Sequence, residues 1–461
     1  MEHRIAVILA AGEGKRMKSK NSKVTHRICG KALVEWVYGA VKESGIDECV
    51  VVTGHRADQV EECMGDTVQY VLQEPQLGTG HAVMQAGEYL RGKDGYVLIL
   101  CGDAPLVTSE TLRDAVEFHK SGGYSVTVIT AEVTDPSGYG RAVRDDSGNL
   151  ARIVEHRDAS PEVKCINEVN SGMYCFSIKE LLESLKELGN NNDQGEYYLT
   201  DSIEILLRKG FKAGAYKISD SNEILGINDR VQLYEASRII RKRIMNKLMK
   251  SGVTVVDPDS TYVDHGVEIG MDTVLYPGTM LEGNTVIGEG CEIGPNTRIN
   301  ACKIGSGVRI GSSVVVESRI EDGAQIGPFA YIRPGSSIGE KVKIGDFVEV
   351  KNSVIGRKTK IPHLAYIGDA EIGSNTNIAC GVITVNYDGK KKHKTIIGSN
   401  AFVGCNVNLV APVEVKDNSY IAAGSTITEE VPGYSLAIAR SRQVIKENWV
   451  LNKGMERKEK D

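Results

Sequence analysis

An aliphatic residue recurs every six positions through the second half of this chain. Ile320, Ile326, Ile332, Ile338, Ile344 and Val350 keep strict register, and Val403, Leu409, Val415, Ile421 and Ile427 resume it. Six is too long for a strand's two-residue alternation and does not fit a helical stripe, so each hexad is one short strand plus a turn. The inward aliphatic of each hexad then stacks on its copy one coil away, three hexads to a coil, with glycine after the aliphatic where the corner is tight. The pattern predicts a triangular left-handed parallel β-helix. From Val253 to Ile427 it gives roughly ten coils and a length of about 45 Å at the usual inter-strand spacing.

A chain of 461 residues holds two or more domains. The net charge of −6 argues against a general nucleic-acid or membrane binder, so any phosphate site must be built from local basic clusters. The apolar run Ile5 to Ala11 is too short to span a membrane and lacks a cleavage region, which predicts a cytoplasmic protein. Ten cysteines are scattered with no Cys-x-x-Cys pair and no metal-ligand spacing, as small side chains in a reducing compartment would be.

Before about Gly226, the apolar runs Ile5–Leu9, Cys49–Val52, Tyr96–Leu100 and Ser125–Thr130 alternate with amphipathic stretches such as Lys31–Ser44 and Ser109–Lys120. That alternation describes βαβ units and a mostly parallel sheet. Leu233, Ala236, Ile240, Ile244 and Leu248 then share one helical face, with Arg238, Arg241, Lys242 and Arg243 on the other, expected to be solvated. The expected division is therefore an α/β domain over 1–228, a linker helix over 229–251 and the β-helix with a C-terminal tail over 252–461. The charged end, Lys453 to Asp461, is expected to be disordered. Between Ile378 and Ile397 the hexads break around the segment Val382 to His393. A segment ejected from a regular solenoid is a candidate functional loop.

The turn after the first strand, Leu9-Ala-Ala-Gly-Glu-Gly-Lys-Arg-Met17, is glycine-rich, and Gly12 and Gly14 let backbone N–H groups approach a phosphate. Its spacing is not that of a dinucleotide fingerprint or a P-loop. Lys23 follows, Gln73 and Gln76-Leu-Gly-Thr-Gly80 supply a second small-residue loop, and Cys101-Gly-Asp103 lies just past an apolar run. A carboxylate at the C-terminal end of a strand is where an open α/β fold places ligand chemistry. In the later coils, Arg333 and Lys351 directly follow inward aliphatics, with His363 and Tyr366 close behind. Two cations with a tyrosine suit a phosphate and a histidine beside them suits a base, so these four are expected near one another, joined by Asn377, Asn386 and Tyr387.

Together these residues resemble the bacterial bifunctional N-acetylglucosamine-1-phosphate uridyltransferases/glucosamine-1-phosphate acetyltransferases, from about Ile5 to Arg442. The resemblance implies a Rossmann-like nucleotidyltransferase domain that uses UTP and Mg²⁺, followed by a β-helix that uses acetyl-CoA. It implies nucleotide contacts at Leu9, Gly12, Lys23, Gln73, Gly78, Thr79, Gly102 and Asp103. Gly140, Glu155, Asn170 and Asn228 would hold N-acetylglucosamine-1-phosphate, with Asp103 and Asn228 on magnesium. In the β-helix, His363 would be the general base, and Arg333, Lys351, Tyr366 and Asn377 would hold glucosamine-1-phosphate. Cys380, Asn386, Tyr387, Cys405, Ala423 and Arg440 would meet acetyl-CoA. The resemblance also implies a role in cell-wall precursor synthesis, for peptidoglycan and lipopolysaccharide. Lys15, Asn21-Ser22, Cys101, Cys380 and Cys405 depart from the family's common residues. Neither Cys380 nor Cys405 has a histidine at a sequence spacing that would identify a partner for a nucleophile.

Two rivals make different demands. A single-activity sugar-1-phosphate nucleotidyltransferase would use the β-helix for assembly alone, against which His363, Asn386-Tyr387 and Arg440 stand. A non-catalytic scaffold would require eroded motifs. A flat-faced prism with a protruding loop buries that loop against copies of itself, so a homotrimer is expected.

Overall fold

A computed structural model describes residues 2–192 and 194–455. The chain forms two compact units, Met1–Arg243 and Ile244–Asp461. The first is built on a nine-stranded sheet whose main path runs Ala213–Ile218, Val126–Glu132, Glu168–Ser177, Gly95–Cys101, His3–Leu9, Glu48–Thr53 and Gln69–Leu72. All neighbours on that path are parallel except Glu168–Ser177, which runs against both of its partners. The runs Ile5–Ile8, Val50–Val52 and Val97–Leu100 are buried throughout, as continuous apolar strands covered on both faces must be.

Helices cover those faces. Leu33–Glu43 buries Leu33, Val34, Val37, Ala40 and Val41 on one stripe. Ser109–Gly122 is opened by the Thr108 hydroxyl, which accepts from the Thr111 N–H at 3.2 Å, and closed by Gly123 at φ 60°. Strand order reverses at His3–Leu9: the next two strands lie on one side of it and Gly95–Cys101 on the other. The crevice outside the carboxyl ends of Leu9 and Cys101 is thus the topological switch point, where such sheets bind ligands.

A helix, Arg230–Lys250, follows, with Ala236 and Ile240 buried. Arg243 on its basic face is not simply solvated, because its guanidinium donates to the Leu106 carbonyl at 2.7 Å.

The second unit is the expected solenoid of two- and three-residue parallel strands. One interior file runs Leu275, Ile293, Ile310, Ile326, Ile344, Ile361, Ile378, Val403 and Ile421, each paired with the next one coil up. A second runs Leu281, Ile299, Val315, Ile332, Val350 and Ile367. The third lies on a separate nine-stranded face carrying Ile287, Ile304, Ile320, Ile338, Ile355 and Ile372. Coil length is less uniform than strict hexads imply: Val274 pairs with Glu292, 18 residues on, but Arg309 pairs with Gln325, 16 residues on. Shortened corners absorb the difference and the interior files stay aligned.

Each of these aliphatics is held above and below by its own file and at its sides by the other two, so truncation leaves a cavity that the rigid backbone does not fill. Ile344→Ala, at 1% exposure, should cost about 3 kcal/mol, read as a lower denaturant midpoint for the β-helix. A midpoint unchanged from the parent would show that the stack is not the source of stability.

Residues 386–394 leave the coil between the strands Ile383–Val385 and Thr395–Ile397. Near the C-terminus a short helix, Trp449–Asn452, precedes the charged tail, whose residues 456–461 lie outside the described residues. Among the described residues no helix is long and apolar enough to cross a membrane.

Candidate active sites

At the switch point, the Gly102 N–H donates to the Leu9 carbonyl at 2.9 Å and knits the two strand ends together. A side chain on Gly12 would meet no protein atom within 4 Å, so this part of the turn is open backbone. Gly14, at φ 66°, has no room for one: its Cβ would lie 2.7 Å from Cβ of Lys23. The turn thereby seats Lys23, whose ammonium bonds the Asp103 carboxylate and reaches the Asn228 Oδ1 at 3.3 Å. These three come from positions 23, 103 and 228. The Asp103 carbonyl in turn accepts from the Ile227 N–H at 2.9 Å, which ties the last of them to the sheet.

The second loop is equally fixed. Buried Gln73 donates to the Gly78 carbonyl at 3.0 Å, Gly78 takes φ 101°, and the Thr79 hydroxyl accepts from the Leu199 N–H at 3.2 Å. Gly140 and Asn170 meet through an N–H to carbonyl bond of 2.9 Å, and a Cβ on Gly140 would stand 3.5 Å from both Asn170 and the Glu155 carboxyl. Burial, then the charges of Asp158 and Asp201, hold the Glu155 carboxyl above its ordinary range.

Of the departures, Lys15 is a surface residue paired with Glu13, and Ser22 is buried with its N–H on Gln59 at 2.7 Å. Neither displaces Lys23 from Asp103. Cys101 packs under the site, its thiol directed at the Gly172 carbonyl.

Asp103 and Asn228 already place two oxygens around one cation, the Lys23 ammonium. Among the described residues no three His, Cys, Asp or Glu side chains form a metal cluster. Two protein oxygens with the remaining ligands supplied by phosphate and water suit magnesium rather than a closed protein cage.

In the β-helix, the residues expected together divide between two edges of one face. At one edge, Arg333 pairs with Glu349 at 2.7 Å and Lys351 with Asp369 at 3.5 Å. Asn386 donates to Asp369 at 2.5 Å and to the Tyr366 hydroxyl at 3.5 Å. Burial pushes the Asp369 carboxyl up, but hydrogen bonds from Asn352 and Asn386 and the Lys351 charge outweigh it and hold it below the usual range. The ejected loop borders a cavity of about 420 Å³ lined by Asn352, Asp369, Lys392 and His393. Tyr387 bridges Lys392 within the loop.

His363 lies at the other edge, within the strand Lys360–Gly368 and three residues before Tyr366. Its Nδ1 lies 2.7 Å from the Asp346 carboxylate one coil below, and that hydrogen bond holds Asp346 below its ordinary range. The register carries this corner onward. Lys360 pairs with Asn377 and Tyr366 with Ile383, which sets His363 opposite Cys380. Ile378 pairs with Val403, which sets Cys380 opposite Cys405, and Val403 with Ile421, which sets Cys405 opposite Ala423. The corner bonds agree: Asn406 N–H to the Cys380 carbonyl and Gly424 N–H to the Cys405 carbonyl, both 2.8 Å. The Arg440 side chain passes 3.9 Å from where a Gly424 Cβ would stand. His363, Cys380, Cys405 and Ala423 therefore form one file along one corner of the prism, with the Arg440 side chain reaching its far end. Sequence spacing had offered no histidine partner for either cysteine; the fold puts one a single rung below Cys380.

Asn377 is not brought to the cationic edge. It lies on the adjoining face, before the corner, with Lys360 below it and Phe402 above. Asp346, Asp369 and Lys392 were not singled out from the sequence. Asp346 was findable as the acidic residue one 17-residue coil before His363.

Fold and sites together define a nucleotidyltransferase joined to a hexapeptide-repeat transferase. Residues 5–226 match the nucleotidyl transferase family, and residues 266–301, 284–318, 317–352 and 394–429 match the bacterial transferase hexapeptide family. The chain is 65% identical to the bifunctional protein GlmU of Acetivibrio thermocellus over the whole of both chains. It is 59% identical to that of Caldanaerobacter subterraneus subsp. tengcongensis, over 98% of each chain. Against that of Clostridium novyi it is 55% identical, over 99% of this chain and all of the other. The chain belongs to the bifunctional GlmU family, whose members join an acetyltransferase to a uridyltransferase in making UDP-N-acetylglucosamine.

Proposed function

We propose that the β-helix, residues 252–461, transfers acetyl from acetyl-CoA to glucosamine-1-phosphate. The domain over 1–228 then joins the product to UMP from UTP, with the helix over 229–251 as linker. The observation that carries the first half is the corner file headed by the His363–Asp346 pair. A carboxylate 2.7 Å from Nδ1 places the proton there and leaves the Nε2 lone pair free as a base. Arg333, Lys351 and Tyr366 receive the sugar phosphate. His363 takes the proton from the substrate amine as its nitrogen attacks the thioester carbonyl. Backbone N–H groups at Cys380 meet the oxyanion, and the thiolate of coenzyme A leaves along Cys405, Ala423 and Arg440. Asn386 and Tyr387 orient the reacting groups.

In the N-terminal domain a sugar-1-phosphate oxygen, anionic at neutral pH, attacks the α-phosphorus of UTP and pyrophosphate leaves, so alignment and charge neutralisation suffice. Lys23 neutralises phosphate charge, and Gly12, Gly78 and Thr79 offer backbone and hydroxyl contacts. Leu9, Gln73 and Gly102 frame the nucleotide, while Gly140, Glu155 and Asn170 hold the sugar. Magnesium, on Asp103 and Asn228, would supply charge neutralisation across the phosphates.

The protein acts in the cytosol as a homotrimer, supplying the cell-wall precursor. Asn377 supports the trimer: it belongs to the sugar site by motif yet lies round the corner from Tyr366, where it would serve a neighbouring copy. One experiment tests the whole reading. The protein is given glucosamine-1-phosphate, acetyl-CoA, UTP and Mg²⁺ while thiol and pyrophosphate release are followed separately. Both should appear, thiol first, from a particle of three chain masses. No thiol from glucosamine-1-phosphate and acetyl-CoA, with pyrophosphate appearing only once N-acetylglucosamine-1-phosphate is supplied, would hand the case to a single-activity enzyme.

A further inference from the structure

Cys380 and Cys405 are 25 positions apart in the chain and carry no motif. The ejected loop removes that separation, and the ladder sets them opposite each other on consecutive rungs. Each is the first residue of a corner turn, and each is followed by a residue at positive φ, Gly381 at 77° and Asn406 at 54°. Their local geometry is therefore the same turn repeated one rung up. Adjacent strands stand about 4.8 Å apart, inside the Cα separation of roughly 4.4–6.8 Å that a disulfide spans; repeated turns hold their Cβ atoms at about the same spacing, so the bond forms once the exposed Cys405 corner leans in to bring them to about 4 Å. Both thiols are free, Cys405 exposed and Cys380 half-buried. The contrast is with Cys101, whose burial pushes its thiol up to about 12, and with Cys291 and Cys302, sealed in the solenoid.

We propose that Cys380 and Cys405 are a dithiol that closes into a disulfide across the corner file and stops acetyl transfer while uridylyl transfer continues. This rests on the reading that acetyl-CoA lies along that file. The oxidant is a low-molecular-weight disulfide. The Cys405 thiolate, the more accessible, attacks one sulfur of that disulfide, forms a mixed disulfide and releases one small thiol. The Cys380 thiolate then attacks the Cys405 sulfur, the mixed bond breaks and the second small thiol leaves. The protein loses two electrons and two protons; the small disulfide gains both. The new bond lies one rung above His363, where the thioester carbonyl must sit. It locks the two rungs together where the pantetheine arm must pass. A dithiol reductant reverses it.

The test uses the full-length protein with oxidised glutathione as the probe. Peptide mapping without reduction should find the Cys380 and Cys405 peptides joined. Acetyl transfer should fall by about tenfold or more and return with dithiothreitol, and uridylyl transfer from ready-made N-acetylglucosamine-1-phosphate should not change. Cys380→Ala and Cys405→Ser are each compared with themselves before and after oxidation, so that any effect on basal rate cancels. In both, the ratio should stay within about twofold of one. Saturating coenzyme A should slow cross-linking of the parent protein. Absence of the Cys380–Cys405 linkage overturns the inference and leaves the coenzyme A file standing. A linkage that forms with acetyl transfer unimpaired overturns the inference together with that placement of coenzyme A. Inhibition that persists in both variants assigns the sensitivity to other thiols and also overturns it.

Discussion

His363→Ala should lower acetyl transfer by about a hundredfold or more, the range a positioned general base contributes. The imidazole stands at a corner with its Nδ1 committed to Asp346, so its loss removes the base and leaves an exposed carboxylate that cannot reach the same point. No interior file includes His363, so folding and particle mass should not change. Uridylyl transfer from N-acetylglucosamine-1-phosphate should also survive, because that site draws on residues before the helix Arg230–Lys250. The measurement is thiol release under saturating acetyl-CoA, beside pyrophosphate release from the same preparation. An acetylation rate equal to the parent's would remove His363 from the chemistry.

Asp103→Asn should have the complementary effect, lowering uridylyl transfer by roughly a thousandfold with acetyl transfer unchanged, since preorganised charge at a phosphoryl centre is worth that much. The substitution keeps shape and a carbonyl oxygen but removes the negative charge that balances Lys23. Lys23 would then lose its carboxylate partner and be left with neutral amide oxygens, that of Asn228 at 3.3 Å among them. Chelation by EDTA should reproduce the loss in the unmodified protein. If acetyl transfer proved as sensitive as uridylyl transfer to either treatment, the assignment of magnesium to the N-terminal domain would fail.

The solenoid was legible in the chain because its period is imposed by packing: an aliphatic that faces the axis must recur with each side of the triangle. Coil length was less legible, since a corner can lose a residue without moving an inward side chain, as between Arg309 and Gln325. The N-terminal motifs marked a phosphate site by their glycines. Only the fold shows why Gly14 must be glycine, because the reason is the Lys23 side chain packed against it. Lys23 and Asp103 are marked by their place beside strand ends, but Asn228 joins them through resemblance alone, since nothing local links positions so far apart. In the β-helix, adjacency follows the ladder rather than the chain. That is why no sequence spacing gives Cys380 a histidine, why nothing beside His363 in the chain marks Asp346, and why the motifs place Asn377 with residues from which a corner divides it.

The corner file also acts as a ruler. Its graduations are set by inter-strand hydrogen bonds, about 4.8 Å apart, and are indifferent to which side chains occupy them. The four positions from His363 to Ala423 measure out a fixed length, the track proposed above for coenzyme A. Point substitutions at the corner change what is touched at a given mark, and Cys380 and Cys405 occupy two such marks. Only the gain or loss of a whole coil changes how many marks there are. The loop at 386–394 illustrates the separation: it lengthens the chain between two marks and leaves their spacing unaltered. In such a scaffold, reach and chemistry can be altered independently.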